Sequence, residues 1–148
     1  MIGRCSYLFP IVSELSNSEN KPTTIIDIGT SAGLTLNFDL YEYWYNEQKL
    51  FGDSTVKNQC KLVDCEPKLI NSITNKLTKI GIDQNLINPK NDDEKLWLNS
   101  LIWADHLDRF IAMEEALKLE ELNQIEFIEA SKVSEFEEII SRVPKEDC

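Results

Sequence analysis

The sequence predicts an α/β domain in which helices flank a mostly parallel sheet. The stretch 25–34 has the composition of a short buried strand, followed by a turn with two glycines and an apolar run. Three later apolar stretches, at 61–65, 79–83 and 124–130, also favour strands, and segments with helical periodicity lie around them. Because strands that alternate with helices are typical of parallel sheets, we expect a three-layer sandwich. A chain of 148 residues is expected to form it as one domain, 1–148.

The charge balance restricts the classes of partner. The chain holds 26 acidic and 15 basic residues, which gives a formal net charge of -11. This excess of negative charge argues against a nucleic acid or an anionic membrane surface as the partner. No apolar run approaches the roughly 20 residues that a membrane-spanning helix requires, and the N-terminus has no clear signal-peptide cleavage site. We therefore expect a cytoplasmic protein.

The cysteine and histidine content argues against a metal centre. The chain has 4 cysteines, at positions 5, 60, 65 and 148, and its only histidine is His106. The two cysteines that lie closest, Cys60 and Cys65, do not form a Cys-x-x-Cys pair. A tetrahedral zinc site usually needs ligands in such close pairs, so no metal is predicted and the cysteines are expected to be free and reduced.

The first two elements are predicted to be a helix and a strand. Apolar residues within Gly3–Leu15 have nearly helical spacing, and Pro10 is expected to limit this helix or to lie in its first turn. A polar loop, 16–22, then leads to the strand Thr23–Ile28.

The glycine turn after this strand carries the strongest functional signal. Gly29 and Gly33 flank Thr30 and Ser31, and Asp27 lies near the end of the strand. A strand followed by a glycine turn and a helix start brings bare backbone N–H groups to a bound anion or nucleotide. The Asp27 carboxylate could contact a ribose or an amino-acid ammonium group. These five residues are therefore predicted to bind a cofactor.

An aromatic cluster follows the turn. Tyr41, Tyr43 and Tyr45 would share one side of an extended segment. They could form a stacking platform for a base or an aromatic substrate, or they could be core aromatics, which is the commoner role of such residues. Asp39, which lies near the glycine turn, is either a further site residue or a surface acid.

A second strand that ends in an acid is centred on 79–83. In a nucleotide-binding βαβ unit the acid that ends the second strand hydrogen-bonds the ribose hydroxyls, and this role is predicted for Asp83. Asp83 lies about 50 positions beyond the glycine turn, against roughly 20 in a compact unit, so Tyr41–Thr78 would be an inserted segment that could include a hairpin. Asp64 and Glu66 are alternatives for the ribose contact.

Helix signals recur in the second half of the chain. Asn91 followed three positions later by Glu94 is typical of a helix N-terminus. Asp105–Leu122 is predicted to form the next helix, followed by a strand at Gln124–Ala130 and a helix at Ser134–Ser141. The side chains of the 105–122 helix that are expected to face inward are Leu107, Phe110, Ile111, Ala116 and Leu117.

Several segments, spread from Gly3 to Pro144, together carry a family resemblance. They are Gly3-Arg4-Cys5, Asp27-Ile28-Gly29-Thr30-Ser31-Ala32-Gly33-Leu34-Thr35-Leu36, Asp39-x-Tyr41-x-Tyr43, Gly81-Ile82-Asp83 with Asn88-Pro89, Trp97-Leu98 with Leu101-Ile102-Trp103, and Arg109-Phe110. They resemble an uncharacterised bacterial family, catalogued only as a domain of unknown function, with a methyltransferase-like Rossmann core.

The resemblance implies a Rossmann-like fold that binds S-adenosylmethionine as class I methyltransferases do. By that implication, Gly29 and Gly33 shape the loop under the methionine part of the cofactor. Asp27 would lie near the methionine part, and Asp83 would contact the ribose.

Two departures from the family pattern bear on catalysis. Ser31 stands where these methyltransferases usually have a middle glycine, and Ser131 stands where an acid often follows the third strand. Family members are also longer at both ends, so this chain is expected to be a central fragment or a shortened member. The resemblance implies that the region that usually supplies the reacting residues is missing, and no catalytic residue is assigned.

Two other functions are open at this point. The run 29–33 also matches the Gly-x-Ser-x-Gly elbow of serine hydrolases, in which Asp64 or Asp83 and then His106 would complete a triad with Ser31. Alternatively, the chain is a non-catalytic binding or remnant protein. An incomplete sheet would expose an edge strand, through which the chain could form a homodimer.

Overall fold

The computed structural model describes residues 2–19, 22–64, 73, 75–119 and 125–143. The α-helices in these ranges are α1 Cys5–Glu19, α2 Asp92–Ser100, α3 Leu107–Leu119 and α4 Val133–Arg142, and two 3-10 helices cover Ile2–Arg4 and Leu34–Leu40. The strands are β1 Thr23–Ile28, β2 Glu42–Tyr45, β3 Gln48–Phe51, β4 Lys57–Cys60, β5 Leu77–Asp83 and β6 Glu126–Glu129. The predictions made for Cys65, Glu66, positions 120–122, Gln124 and Cys148 lie outside the described residues.

Strands β1, β5 and β6 form a parallel sheet in the order β1-β5-β6. The register pairs Asp27 with Gly81 and Asp83 with Glu129. Because the three strands run in one direction, their carboxyl ends lie at the same edge of the sheet. Apolar side chains of α4 pack against β5. The prediction of an α/β chain with a parallel sheet and flanking helices is confirmed.

The segment between the glycine turn and β5 contains a second sheet, in the order β3-β2-β4. Strands β2 and β3 form an antiparallel hairpin, and β2 pairs with β4 in parallel. The predicted insertion, Tyr41–Thr78, therefore does include a hairpin. It separates β1 from β5 along the chain without preventing them from pairing.

The three tyrosines at the start of this sheet belong to the core. Tyr41 and Tyr43 are fully buried and Tyr45 is 3% exposed, so none of the rings can act as a stacking platform, and that interpretation is wrong. The hydroxyls of Tyr41 and Tyr43 donate to the carbonyls of Leu34 and Phe38, at 2.5 and 2.6 Å. Each buried hydroxyl thus has the partner that burial demands.

Pro10 lies inside α1 and neither limits the helix nor occupies its first turn. A proline has no N–H to donate to the carbonyl four residues earlier, which here is Ser6. The Tyr45 hydroxyl donates to that carbonyl. The second sheet therefore supplies the hydrogen bond that the proline cannot make, and the helix continues to Glu19.

Helix α2 begins as predicted. The Asn91 side chain accepts hydrogen bonds from the amides of Asp93 and Glu94, at 3.0 and 3.3 Å. The Glu94 carboxylate does not return to Asn91, as a capping box would require, but accepts from the amide of Asn88 at 2.6 Å. The helix start therefore also holds the loop that precedes it.

Helix α3 buries only part of the face that was predicted to point inward. Its buried residues are Met113 and Ala116, which face the core, while Leu107, Phe110 and Ile111 are exposed. The helix has two apolar stripes, and the one that contacts the 3-10 helix at 34–40 is the one that becomes buried. The prediction is confirmed for Ala116 and for Leu117, which is partly buried against the core, and is wrong for the three exposed residues.

Candidate functional site at the carboxyl edge of the parallel sheet

The chain leaves β1 through a turn with three residues in the left-handed backbone region. Gly29, Ser31 and Gly33 have φ angles of 83°, 55° and 74°. A side chain on Gly29 would meet no atom within 4 Å, so the α-carbon of this residue faces open space. Gly29 is therefore the residue of the turn that a ligand could approach most closely.

Gly33 is a glycine for a different reason. A Cβ at this position would lie 2.6 Å from Cζ of Phe127 and 3.2 Å from the side chain of Ile125. Gly33 thus accommodates the ring of a β6 residue, and its α-carbon faces protein. Of the two glycines in the predicted cofactor loop, one packs against the fold and the other faces open space.

Backbone amides of the turn are already used inside the protein. The amides of Gly29 and Thr30 both donate to the carbonyl of Ile82, at 2.8 and 3.2 Å, and the amide of Gly33 donates to Thr30 at 2.9 Å. A phosphate-binding loop needs such amides free to donate to the anion. The turn is therefore poorly suited to bind a phosphate group. This argues against the anion, one of the two kinds of ligand that the glycine spacing suggests.

Asp83 lies beside the turn, at the end of β5. Its Oδ2 accepts from the amide of Ser31 at 2.7 Å, and its Oδ1 accepts from the amide of Asn85 at 3.0 Å. Parallel pairing of β1 with β5 thus brings together two residues that are 52 positions apart. The structure places this predicted ribose-binding acid next to the predicted cofactor loop.

Asp27 is the second acid at this edge. Burial raises the pKa of its carboxyl above the usual value, the nearby Asp83 carboxylate adds to the shift, and the Thr30 hydroxyl and Arg4 oppose it. Thr30 itself packs over Gly81, where a Cβ would lie 2.8 Å from its methyl group. Gly81 is the register partner of Asp27, and a side chain at this position would overlap Thr30.

One alternative acid, Asp64, lies in the stretch expected to form a strand at 61–65, but the described part of that stretch, 61–64, is not a strand. Asp64 is exposed and follows β4, which belongs to the second sheet. Glu66 lies outside the described residues. The structure therefore favours Asp83 over Asp64 as the acid of this site.

A third acid at the edge was missed by the sequence analysis. Glu129 is exposed, ends β6 and pairs in register with Asp83. The sequence analysis expected an acid two positions later, where Ser131 stands, and Ser131 instead donates its amide to Glu135 at 2.7 Å. Glu129 directly follows the apolar pair Phe127-Ile128 near the end of a predicted strand, and this acid at a strand end is the signal that could have identified it.

The structure does not assemble a serine-hydrolase triad at Ser31. No hydrogen bond joins Ser31 to His106 in the described chain, and the nearest acid to the His106 ring is its neighbour Asp105, at 4.0 Å. Asp83, a candidate third member, instead accepts the backbone amide of Ser31. A nucleophile needs a base within hydrogen-bonding distance, so the geometry does not favour the hydrolase interpretation.

The described residues offer neither a cluster of metal ligands nor a membrane-spanning helix. Within residues 2–19, 22–64, 73, 75–119 and 125–143, no three His, Cys, Asp or Glu side chains are grouped so as to hold a metal ion. In the same ranges, Cys5 and Cys60 are free thiols, and burial raises the pKa of Cys5 to about 12. None of the helices described here combines the length and the apolar character needed to span a membrane.

Comparison with known proteins identifies a bacterial family. The model of the family described as "Uncharacterized protein conserved in bacteria (DUF2332)" matches residues 2–148. The chain therefore belongs to this family. No curated protein and no solved structure matches it.

Proposed function

We propose that this member of the DUF2332 family binds S-adenosylmethionine, or a nucleoside of the same chemistry, at the carboxyl edge of its parallel sheet. The observation that carries the proposal is the 2.7 Å hydrogen bond between the Ser31 amide and the Asp83 carboxylate. It connects the end of β5 with the turn after β1. In Rossmann-type sites these two strand ends contact the ribose and the group attached to it.

The charges at this edge support a cationic ligand over a phosphorylated one. Asp27, Asp83 and Glu129 end or nearly end three neighbouring strands, and the amides that could have bound a phosphate are bonded internally. Phosphate would meet negative charge here, whereas ammonium and hydroxyl groups would meet hydrogen-bond acceptors and a sulfonium would meet opposite charge. S-adenosylmethionine carries all three of these groups and no phosphate.

The residues have distinct roles in this proposal. Asp83 retains acceptor capacity on both carboxylate oxygens and accepts from the ribose hydroxyls. Asp27 accepts from the ammonium group of the methionine part. Gly29 allows the ligand to approach the backbone, because its missing side chain leaves open space. Thr30, Ser31 and Gly33 hold the turn in shape through its internal contacts.

The proposal covers binding and assigns no methyl-transfer step to residues of this chain. S-adenosylmethionine supplies an electrophilic methyl group wherever it is bound. In the described chain, the groups next to Asp83 and Gly29 are backbone amides and carboxylates that hold the turn. Their role here is to bind and orient.

Calorimetric titration and thermal unfolding with S-adenosylmethionine test the proposal. A ligand at 100 times its dissociation constant stabilises the folded state by about 2.7 kcal/mol, which raises the melting temperature by about 5–10 °C for a chain of this size. NAD serves as the phosphate-bearing comparison and is expected to bind more weakly. An unchanged melting temperature at saturating S-adenosylmethionine would refute the proposal.

Two Asp→Asn variants localise the binding. Asp83→Asn removes the charge next to the glycine turn and is expected to weaken binding about tenfold or more. Asp64→Asn is the matched control, because Asp64 is an exposed acid beside the other sheet. Equal affinity of the two variants would show that the ligand binds elsewhere.

A second candidate function is self-association through β1. In the described part of the chain β1 pairs with β5 alone, so its other edge has no strand neighbour. Ile28 at the end of this strand is 58% exposed. A strand with a neighbour on one side only and an exposed apolar residue favours pairing with a second copy.

Sedimentation measurements test this second candidate. The wild-type chain is expected to dimerise with increasing concentration, and Ile28→Lys is expected to shift it to monomer, because a charge on an edge strand opposes pairing. The control is Tyr7→Lys, which adds the same charge at an exposed position of α1. A wild-type monomer at high concentration would exclude self-association.

A further inference from the structure

A cavity that is partly open to solvent lies between α1, β3 and β5. Its volume is about 290 Å³. Its lining includes the rings of Phe9 and Phe51, the side chain of Leu77, and polar groups of Asp39, Asn75 and Lys79. Cavities that bind drug-sized ligands begin at about 300 Å³, so this one has the size for a small metabolite.

Lys79 is the unusual residue of this cavity. Its side chain is 3% exposed, whereas that of its partner Asp39 is 26% exposed. The ammonium nitrogen lies 2.5 Å from Oδ1 of Asp39 and 5.5 Å from the centre of the Phe38 ring. Lysine is almost never fully buried without a partner. The cavity therefore has a cation at its inner wall and a carboxylate nearer to solvent.

Burial and pairing act on Lys79 in opposite directions. Burial lowers the pKa of its ammonium group, and the contact with the Asp39 carboxylate opposes that shift. A group desolvated to this degree gains more from an additional counter-charge than an exposed lysine does.

The charges around the cavity select the class of ligand. A ligand with one negative charge would place a second carboxylate beside the buried pair, and a ligand with one positive charge would place a second cation there. Either would leave an uncompensated charge beside the buried Lys79 side chain, which is costly. A ligand with both charges keeps the sum at zero, with its carboxylate at Lys79 and its ammonium at Asp39.

We infer that this cavity is a binding site for a small zwitterion with an apolar side chain, which is the chemistry of a free aliphatic amino acid. The carboxylate of the ligand lies inward at Lys79, and the ammonium group lies outward at Asp39. The aliphatic chain packs against Phe51, Ile73 and Leu77, which are partly exposed in the cavity. The net charge of -11 on the whole chain adds to the selection, because it disfavours simple anions.

This site is separate from the one proposed for the cofactor. Lys79 and Asp83 are four positions apart on β5, which corresponds to about 13 Å along the strand. The Asp83 carboxylate bonds to the glycine turn, whereas Lys79 faces the cavity beside α1. The inference does not depend on the cofactor proposal, and the two fail in different experiments.

Calorimetric titration of the full chain with L-leucine tests the inference. Three analogues that share the isobutyl group of leucine separate the charges: isocaproate is an anion, isoamylamine is a cation, and isocaproamide is neutral. L-leucine is expected to bind at least about tenfold more tightly than each of them. Lys79→Met and Asp39→Asn are each expected to weaken leucine binding about tenfold or more.

The control variants come from another ion pair. Lys95→Met and Glu114→Gln break the 2.8 Å contact between α2 and α3, and both are expected to bind leucine as the wild type does. Should Lys79→Met fail to fold, Asp39→Asn still tests the site, because its side chain is partly exposed.

Four outcomes would overturn the inference. They are a wild type that does not bind leucine at millimolar concentration, an analogue that binds as tightly as leucine, leucine binding that survives in both cavity variants, and leucine binding that is abolished by Asp83→Asn. The last of these would assign leucine to the glycine-turn site. Loss of binding in both cavity variants alone, with the analogues weaker, supports the inference.

Discussion

The carboxyl edge of the parallel sheet and the second sheet use their polar groups in opposite ways. At the edge, a carboxylate accepts hydrogen bonds from backbone amides and stays partly open to solvent. In the second sheet, buried tyrosine hydroxyls donate hydrogen bonds to backbone carbonyls. Asp83, which bonds to the Ser31 amide, represents the first region. Tyr43, which bonds to the Phe38 carbonyl and stacks on Phe9, represents the second. Among the described residues, the second sheet belongs to the larger of two buried apolar clusters, whereas the parallel-sheet edge carries the exposed polar chemistry.

The largest expected effect comes from the aromatic region. Tyr43 is fully buried, and its ring stacks on Phe9 with 4.6 Å between ring centres. Tyr43→Ala is expected to lower the free energy of unfolding by about 3–5 kcal/mol, because it removes buried area and leaves a cavity. Urea unfolding measures the change. Tyr7→Ala is the control, since Tyr7 is 59% exposed, and an equal loss in the two variants would contradict the comparison.

The next effect separates the two glycines of the turn. Gly33→Ala adds both left-handed strain and an overlap with Phe127, so a loss of about 2–4 kcal/mol in unfolding free energy is expected. Gly29→Ala adds the backbone strain alone and is expected to cost about 1–2 kcal/mol. Urea unfolding of both variants measures the difference.

A double variant shows whether Phe127 is the cause. In a Phe127→Ala background, Gly33→Ala is expected to cost about as much as Gly29→Ala, because the ring that it would overlap is gone. A Gly33→Ala cost that is unchanged in that background would show that packing of β6 against the turn is not what requires the glycine.

A smaller effect links the second sheet to α1. Tyr45→Phe removes the hydroxyl that donates to the Ser6 carbonyl and is expected to cost about 1–2 kcal/mol. Pro10→Ala restores an N–H that can reach the same carbonyl. In that background the cost of Tyr45→Phe should shrink, and unfolding free energies of the four proteins in this cycle measure the coupling. Additive changes would show that the hydroxyl does not replace the missing amide.

The smallest effects are pH dependences of opposite sign in the two regions. The pKa of Asp27 is raised by burial, so its stabilising contribution is present at acidic pH and is lost as pH rises through the raised value. Hydrogen bonds from Trp44 and Lys49 lower the pKa of Glu42 to about 2. Its contribution is therefore present above the usual value of 4.5 and is lost as pH falls towards about 2.

Unfolding free energies of Asp27→Asn and Glu42→Gln, each measured against the wild type across this pH range, test the two signs. The advantage of the wild type over Glu42→Gln should decrease on acidification. For Asp27 the variant is expected to be the more stable protein at neutral pH, and this advantage of Asp27→Asn over the wild type should decrease on acidification. Parallel curves for the two variants would contradict the assignment of opposite environments to the two carboxyls.

Features set by neighbours in the chain could be predicted from the sequence. The strand Thr23–Ile28, the glycine turn after it and the start of α2 at Asn91 all appear where they were expected. In each case the deciding interactions are local: β-branched residues favour the strand, and an asparagine side chain reaches amides two and three residues away.

Features set by docking could not be predicted in the same way. Helix α3 has two apolar stripes, and periodicity does not tell which of them packs against the rest of the protein. Asp64 and Asp83 each follow a short apolar stretch, and only the pairing of β1 with β5 selects Asp83. The polar pair of Lys79 and Asp39 is 40 positions apart and carried no spacing signal.

The sequence by itself determined that β1 would end in a tight turn with an acid beside it, because strand propensity and glycine backbone freedom act over a few residues. Only the tertiary structure decided that Gly33 would face Phe127, that Gly29 would face open space and that Lys79 would be buried beside Asp39. Such outcomes depend on which distant surfaces exclude water from one another. That choice minimises a free energy summed over the whole chain, and no short window of sequence contains it.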